Sequence, residues 1–284
     1  MKQLTNYIIS ELRGFYPEEE LRELAYWIIE ESTGMTRTQI LTDCKDTQNI
    51  SNMEIILQKL RAHEPIQYIF GHTEWMGLDL RVTPATLIPR PETAELVEWI
   101  LQEADRDKPL SVLDIGTGSG CIAIALKKAA PHWQVTGLDI SEEALAVAKE
   151  NATRNKVEVN WLQADILSPI ANSSLPIADI IVSNPPYICN SEKKDMDARV
   201  LDYEPHSALF VPDTDPLLFY RQIAFLASSP HRLIASSPLN MFFEINEAYG
   251  NEVCAMMEQM GYTDVQLKND MYGKPRMVFG AIAC

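Results

Sequence analysis

LSVLDIGTGSG, residues 110–120, is the stretch whose reading decides the fold. Leu110 to Gly116 is a short, mostly apolar run of the length a buried strand uses. Glycines then fall at alternate positions, Gly116, Gly118 and Gly120, and CIAIALKKAA (121–130) reads as a helix stopped near Pro131. Strand, glycine turn and helix in that order open an α/β crossover, and glycines there let a ligand approach the backbone closely. The spacing is G-x-G-x-G. A dinucleotide site would want its third glycine where Cys121 stands, and a P-loop would need a Lys and Thr that are missing.

Downstream the alternation continues. WQVTGLDI (133–140) is the next strand, Ser141 caps EEALAVAKENATRN, and VEVNWLQADI (157–166) and IADIIVSN (177–184) add two more strands. Such alternation means a parallel sheet covered by helices. The end differs: LNMFFEI, a helix near 247–260, then YTDVQLKND and KPRMVFGAI joined through Gly273, a terminal antiparallel hairpin.

Upstream, Pro91 begins a helix with Leu96, Val97, Ile100 and Leu101 on one side. EWMGLDLRV and TPATLIPR, broken by Gly77 and Pro84, make a hairpin or extended linker. Before that the chain reads as helices. Pro17 suits a first helical position, with Leu21, Leu24, Ala25, Ile28 and Ile29 behind it, and Ser51-Asn52-Met53-Glu54 is a capping-box pattern. The expected organisation is a helical domain over 1–71, a hairpin or linker over 72–90 and an α/β domain over 91–284.

The 284 residues carry a formal net charge of −16. A chain that acidic disfavours non-specific contact with a phosphate backbone and does not exclude contact with a basic protein. Its 5 cysteines, Cys44, Cys121, Cys189, Cys254 and Cys284, are scattered with no CxxC pair, and no HExxH occurs. The reading is therefore no metal, no disulfide framework and a reducing cytoplasm. No apolar run approaches the roughly 18 residues of a membrane span, so no membrane contact is expected.

Polar groups gather at the strand ends. Asp114 and the Gly116–Gly120 loop end the first strand, Asp139 the second, Asp165 the third and Asn184 the fourth. In an open sheet these positions face one crevice, where Asp139 can accept from ribose hydroxyls and Asp165 from an adenine amino group. This arrangement resembles that of class I S-adenosylmethionine-dependent methyltransferases. The fourth end reads Ser183-Asn184-Pro185-Pro186-Tyr187. An amide nitrogen is a poor nucleophile, so methylating it requires its NH₂ to be held by acceptors. Asn184 offers a side-chain carbonyl, Pro185 a backbone carbonyl whose direction Pro186 locks, and Tyr187 a flat face for stacking.

The resemblance extends along nearly the whole chain. PIQYIFG (65–71), TLIPRPET (86–93), DIGTGSG (114–120), SNPPYI (183–188) and YEPHSALF (203–210) resemble the bacterial PrmC/HemK family of protein-(glutamine-N5) methyltransferases. That family methylates the Gly-Gly-Gln glutamine of class I peptide chain release factors. The resemblance implies a Rossmann-like, seven-stranded, mostly parallel sheet with a terminal hairpin, behind a small helical domain that recognises substrate. It also implies S-adenosyl-L-methionine as methyl donor and S-adenosyl-L-homocysteine as product. By it, Asp114, Gly116, Thr117, Gly118, Ser119, Gly120, Asp139, Ile140, Asp165, Ile166 and Asn184 line the cofactor. Asn184, Pro185, Pro186 and Tyr187 bind the glutamine, with Asn184, Pro185 and Tyr187 catalytic.

Three departures stand out. Ala94 replaces a frequent acid, Asn246 a usual glycine, and SSPHRLIASSPLN lacks a glycine turn. Three rival readings fit the sequence less well. A nucleic-acid amine methyltransferase lacks its basic channel, and intact Asp114, Asp139 and NPPY oppose a non-catalytic scaffold. A ribosomal-protein glutamine methyltransferase shares the loop, but PIQYIFG and IPRPET favour the release-factor branch.

Overall fold

A computed structural model describes residues 1–42, 50, 52–168, 175–228 and 239–282. The chain divides into two compact units, Met1–Gly71 with Asp197–Tyr203, and His72–Met196 with Glu204–Cys284.

The first unit contains α1 (Lys2–Leu12), α2 (Glu18–Thr33), α3 (Arg37–Thr42), α4 (Met53–Arg61) and α5 (Ile66–Phe70). Glu18, Glu19 and Glu20 sit in the first turn of α2, where the helix dipole favours acids. The helix stops at Gly34, whose φ of 68° is left-handed and whose N–H caps Glu30. Leu21, Leu24, Ala25, Ile28 and Ile29 face inward and share a core with Ile8, Leu12, Leu57 and Leu60. The capping box expected at Ser51 falls on a residue outside the described ones, and α4 is described from Asn52 onward. Its N-cap is Asn52, without a side-chain cap, and Glu54 accepts from Arg61. Asp197–Tyr203 joins this unit through an Arg199–Glu20 ion pair and a hydrogen bond from the Tyr203 hydroxyl to Ala62.

The second unit opens with an antiparallel hairpin, β1 (His72–Trp75) and β2 (Leu78–Arg81). Met76 and Gly77 both have positive φ, which matches a two-residue hairpin turn. Residues 72–90 are thus no free linker. Trp75, Leu78 and Leu80 are buried with the helical face of α6 (Pro91–Glu103), and Trp75 donates to the Arg90 carbonyl.

The remaining elements are β3 (Ser111–Ile115), α7 (Cys121–Ala129), β4 (Gln134–Asp139), α8 (Glu142–Arg154), β5 (Asn160–Gln163), β6 (Ile180–Ser183) and β7 (Ile188–Cys189). After α9 (Ala198–Tyr203), already described, come β8 (Phe210–Val211), α10 (Leu218–Ala227), β9 (Leu239–Glu244), α11 (Gly250–Gln259), β10 (Thr263–Asn269) and β11 (Pro275–Ile282). Seven strands form one sheet in the order β10-β11-β9-β6-β3-β4-β5. From β9 to β5 the neighbours are parallel, and β11 runs antiparallel to both β9 and β10, as the terminal hairpin required.

Alternation along the strands feeds two apolar layers. Val112, Ile180, Val182 and Phe242 pack with α6 and α7, while Leu113, Ile181, Met241 and Phe243 pack with α10 and α11. The chain leaves β3 toward β4 and β5 on one side, then returns to β6 and β9 on the other. The order therefore reverses beside β3, and a ligand crevice is expected outside the strand ends there.

Candidate active site

A cleft of about 420 Å³ opens at this reversal point. Its wall brings together Gly116, Thr117, Gly118, Ser119, Asp139, Ile140, Asp165, Ile166, Asn184, Pro185 and Pro186. Asp114, Gly120 and Tyr187 do not line it, and each has a different task.

The glycine loop is held by its own backbone. The N–H groups of Gly116 and Thr117 both donate to the Leu138 carbonyl at 2.8 Å, and the Gly118 N–H donates to Asp139 Oδ2 at 2.8 Å. Gly116, Gly118 and Gly120 have φ of 73°, 55° and 81°, a region that side chains resist. Behind the loop, Gly137 on β4 makes room for the Trp161 ring, where a Cβ would come within 2.5 Å. Trp161 is a packing residue on the apolar layer of α6 and α7.

Asp114 is fully buried beneath the loop. Its Oδ2 accepts from the Thr117 hydroxyl at 2.6 Å and the Ala123 N–H at 3.2 Å, while Oδ1 has no partner among the described residues. Burial outweighs those two bonds and pushes its pKa up to about 7. Asp114 therefore ties the loop to the first turn of α7.

Asp139 Oδ1 accepts from the Ser141 N–H at 2.9 Å, so each carboxylate oxygen takes one backbone bond. A carboxylate oxygen has more than one lone-pair site, so both keep capacity for a ligand hydroxyl. Asp165 does not end a strand as the sequence suggested. β5 is an edge strand that stops at Gln163, and Asp165 sits in the turn that follows, its Oδ1 accepting from the Leu167 N–H at 2.9 Å. Ile140 is 57% exposed beside it, an apolar face left open at the cleft.

NPPY carries the chain from the main sheet into the small parallel ribbon β7–β8. Ser183 closes β6, its hydroxyl donating to the Ile115 carbonyl at 2.6 Å, and the N–H of Ile188 donates to Leu209 at 2.9 Å. The two prolines occupy the step between sheets, where no ladder bond is needed. Asn184 Nδ2 donates to Thr93 Oγ1 at 3.3 Å. Next along the loop stands Tyr187, partly buried. Its ring packs against the apolar layer of α10 and α11, and its hydroxyl donates to Glu244 Oε1 at 3.3 Å. Thr93 donates to the other oxygen of Glu244 at 2.6 Å.

Asn246 explains one departure. Its amide nitrogen donates to the Tyr187 carbonyl at 3.1 Å and its oxygen caps Ala248 at 3.0 Å, bonds a glycine could not make. Ala94 packs half-buried on the apolar layer of α6 and α7, and residues 229–238 of SSPHRLIASSPLN lie outside the described residues. The TLIPRPET segment has two tasks at once. Pro91 starts α6, and Thr86, Leu87, Pro89, Arg90 and Thr93 line the cleft. Glu204, also buried, holds this segment by accepting from the Ile88 N–H at 3.0 Å and pairing with Arg90.

Thr93, Glu204 and Glu244 were missed in the sequence as functional positions. Glu204 and Thr93 lay inside quoted motifs, which was the available signal, whereas Glu244 is a lone acid ending an apolar strand. Among the described residues no group of three or more His, Cys, Asp or Glu is placed to hold a metal, and no helix is long and apolar enough to cross a membrane.

Residues 93–202 match the Methyltransferase small domain and residues 3–71 the PrmC N-terminal domain. A methyltransferase of Pyrococcus furiosus, 18% identical, superposes with a TM-score of 0.52 over 82% of this chain and 100% of that one. The fold is that of the class I S-adenosylmethionine-dependent methyltransferases. A protein of Bacteroides thetaiotaomicron is 44% identical over 98% of this chain and 99% of its own, and one of Flavobacterium psychrophilum 41% over 98% of each. Both are named release factor glutamine methyltransferase, and the chain belongs to that family.

Proposed function

We propose that this enzyme transfers a methyl group from S-adenosyl-L-methionine to the side-chain amide nitrogen (N5) of the Gly-Gly-Gln glutamine in class I peptide chain release factors, modulating translation termination. Besides kinship, one observation carries the reading. Asn184 stands at the cleft with its Nδ2 engaged on Thr93, which leaves Oδ1 as the acceptor for an incoming amide N–H.

The donor fits the cleft wall. Positions 116 and 118 carry no side chain, and a Cβ on Gly116 would stand 4.0 Å from the Asn184 carbonyl, between the two halves of the site. Asp139 would take the ribose hydroxyls, Asp165 the adenine amino group, and Ile140 and Ile166 offer apolar surface to the purine. Gly116, Thr117, Gly118 and Ser119 would face the methionine part, with Asp114 and Gly120 fixing their backbone. The donor supplies an electrophilic methyl group and leaves as S-adenosyl-L-homocysteine.

The protein's share is positioning. Asn184 Oδ1 and the Pro185 carbonyl would each accept one N–H of the glutamine amide, turning the nitrogen toward the methyl while Pro186 keeps the carbonyl fixed. No strong base is needed, because the nitrogen becomes acidic only as it is alkylated. Aligned acceptors that need not reorganise are the means of acceleration. Tyr187 secures the far end of the loop.

The formal charge of −16 supports a protein partner over direct nucleic-acid contact. We assign the first unit to holding the body of the release factor, because a glutamine alone offers few contacts. A release-factor substrate also implies a cytoplasmic site of action, with no part for a membrane or a metal. The test is to incubate the protein with methyl-labelled donor and purified release factors, then locate the label by peptide mass.

A further inference from the structure

We infer that Thr93 and Glu244 are positioning residues that decide which end of the Asn184 side chain faces the substrate. The inference rests on the amide-methylation reading above and adds two residues to it.

The geometry begins with strand register. Ser183 pairs with Phe243 across the parallel strands β6 and β9, so Asn184, just past β6, and Glu244, the last residue of β9, stand side by side at the strand ends. Thr93 arrives from the first turn of α6, where Pro91 at the helix start fixes its direction. Glu244 is 1% exposed and Thr93 3% exposed, so water does not compete for their bonds.

The proton count then fixes the orientation. An ionised carboxylate only accepts, and both oxygens of Glu244 are taken, by Thr93 at 2.6 Å and Tyr187 at 3.3 Å. A threonine hydroxyl has one proton, and Thr93 gives it to Glu244. Toward Asn184 its oxygen can only accept, so the amide must present Nδ2, as it does at 3.3 Å. Oδ1 is thereby turned the other way. A side chain reversed by 180° would set an NH₂ against the substrate NH₂, donor against donor, and the clamp would hold nothing.

A plain brace does not need this arrangement. Among the described residues, Glu244 has no cation directly on its carboxylate. The neighbouring Arg276 pairs with Asp270 and Glu247, and burial pushes the Glu244 pKa up to about 6. A glutamine or an apolar residue could fill the space without an isolated buried charge. What the charge adds is a fixed direction for two hydroxyl protons.

The test compares Thr93→Val, which keeps shape and removes the hydroxyl, with Thr93→Ser, which keeps the hydroxyl. Thr93→Val should lower kcat toward release factor by about 100-fold, the scale of a misplaced reacting group. Thr93→Ser should recover most of that loss. Affinity for S-adenosyl-L-homocysteine by calorimetry and KM for release factor should change little, and Glu244→Gln should resemble Thr93→Val. Independently of turnover, the Asn184 side-chain NH₂ resonances in ¹⁵N-labelled protein should be protected from exchange in the wild type and Thr93→Ser, and lose that protection in Thr93→Val. Wild-type kcat in Thr93→Val, or Thr93→Val and Thr93→Ser impaired alike in step with lost thermal stability, would overturn the inference. Failure of the underlying reading shows differently, as wild-type enzyme that leaves release factor unlabelled. The Asn184 resonances then still decide the orientation.

Discussion

The two halves of the cleft are built in opposite ways. The glycine loop is held by groups from close in sequence: Asp114 reaches 3 and 9 residues ahead, and Gly118 meets Asp139 after 21. The amide clamp is held by side chains from far away. Asn184 to Thr93 spans 91 residues, Tyr187 to Glu244 spans 57, and Thr93 to Glu244 spans 151. The first half is a conformation, set by φ and glycine. The second is an orientation, set by which group gives a proton to which. A conformation resists most single substitutions, whereas an orientation is lost with one hydroxyl.

The largest expected effect breaks the clamp half alone. Asn184→Ala should reduce methyl transfer by about 100- to 1,000-fold, the cost of removing one preorganised polar contact at a reacting centre. The thermal midpoint should hardly move, because Asn184 makes one long bond of 3.3 Å to the protein. A variant with normal turnover would contradict the clamp.

Asp139→Ala probes the other half. It should weaken donor binding by roughly 1.5–3 kcal/mol, since charge-assisted bonds are lost while the Gly118 and Ser141 N–H groups lose their acceptor. Calorimetric titration with wild-type affinity would contradict the assignment.

Gly137→Ala tests whether the loop is a conformation supported from behind. A Cβ would stand 2.5 Å from the Trp161 ring and 2.9 Å from the Thr117 hydroxyl. Overpacking there should cost about 1–3 kcal/mol in denaturant unfolding, and it should weaken donor binding in parallel.

The pH dependence of stability separates the halves most gently. Asp114 and Glu244 have folded pKa values raised to about 7 and about 6, so the folded protein binds protons more tightly than the unfolded chain. Their contribution is complete at low pH and is lost as pH rises, over 3.8 to about 7 for Asp114 and 4.5 to about 6 for Glu244. Each proton adds a slope of at most about 1.4 kcal/mol per pH unit. Asp114→Asn should flatten the decline along its whole length, including the part above pH 6, and Glu244→Gln only its middle part. An unchanged slope in both would remove the carboxyls from the account.

Legibility in the sequence follows the same division. Strands β3, β4, β6 and β9 were plain as apolar runs, and the glycine loop and NPPY were plain as motifs, because local chemistry specifies them. VEVNWLQADI reads as a strand reaching Asp165, but an edge strand with one partner stops three residues before the end of that run. α10 escaped notice, its LFYRQIAFLA lying in a stretch whose neighbours drew attention instead. Thr93 and Glu244 could not be paired from sequence at all. Nothing local marks a threonine in a helix start and an acid at a strand end 151 residues later as neighbours.

The central claim is that a primary amide is methylated by a clamp centred on Asn184. Its most direct test is mass-spectrometric location of the labelled methyl after single turnover with purified release factor, wild type beside Asn184→Ala. The account predicts one methyl, on the side-chain nitrogen of the Gly-Gly-Gln glutamine, absent with the variant. A methyl on any other residue, or an equal yield from Asn184→Ala, would contradict it.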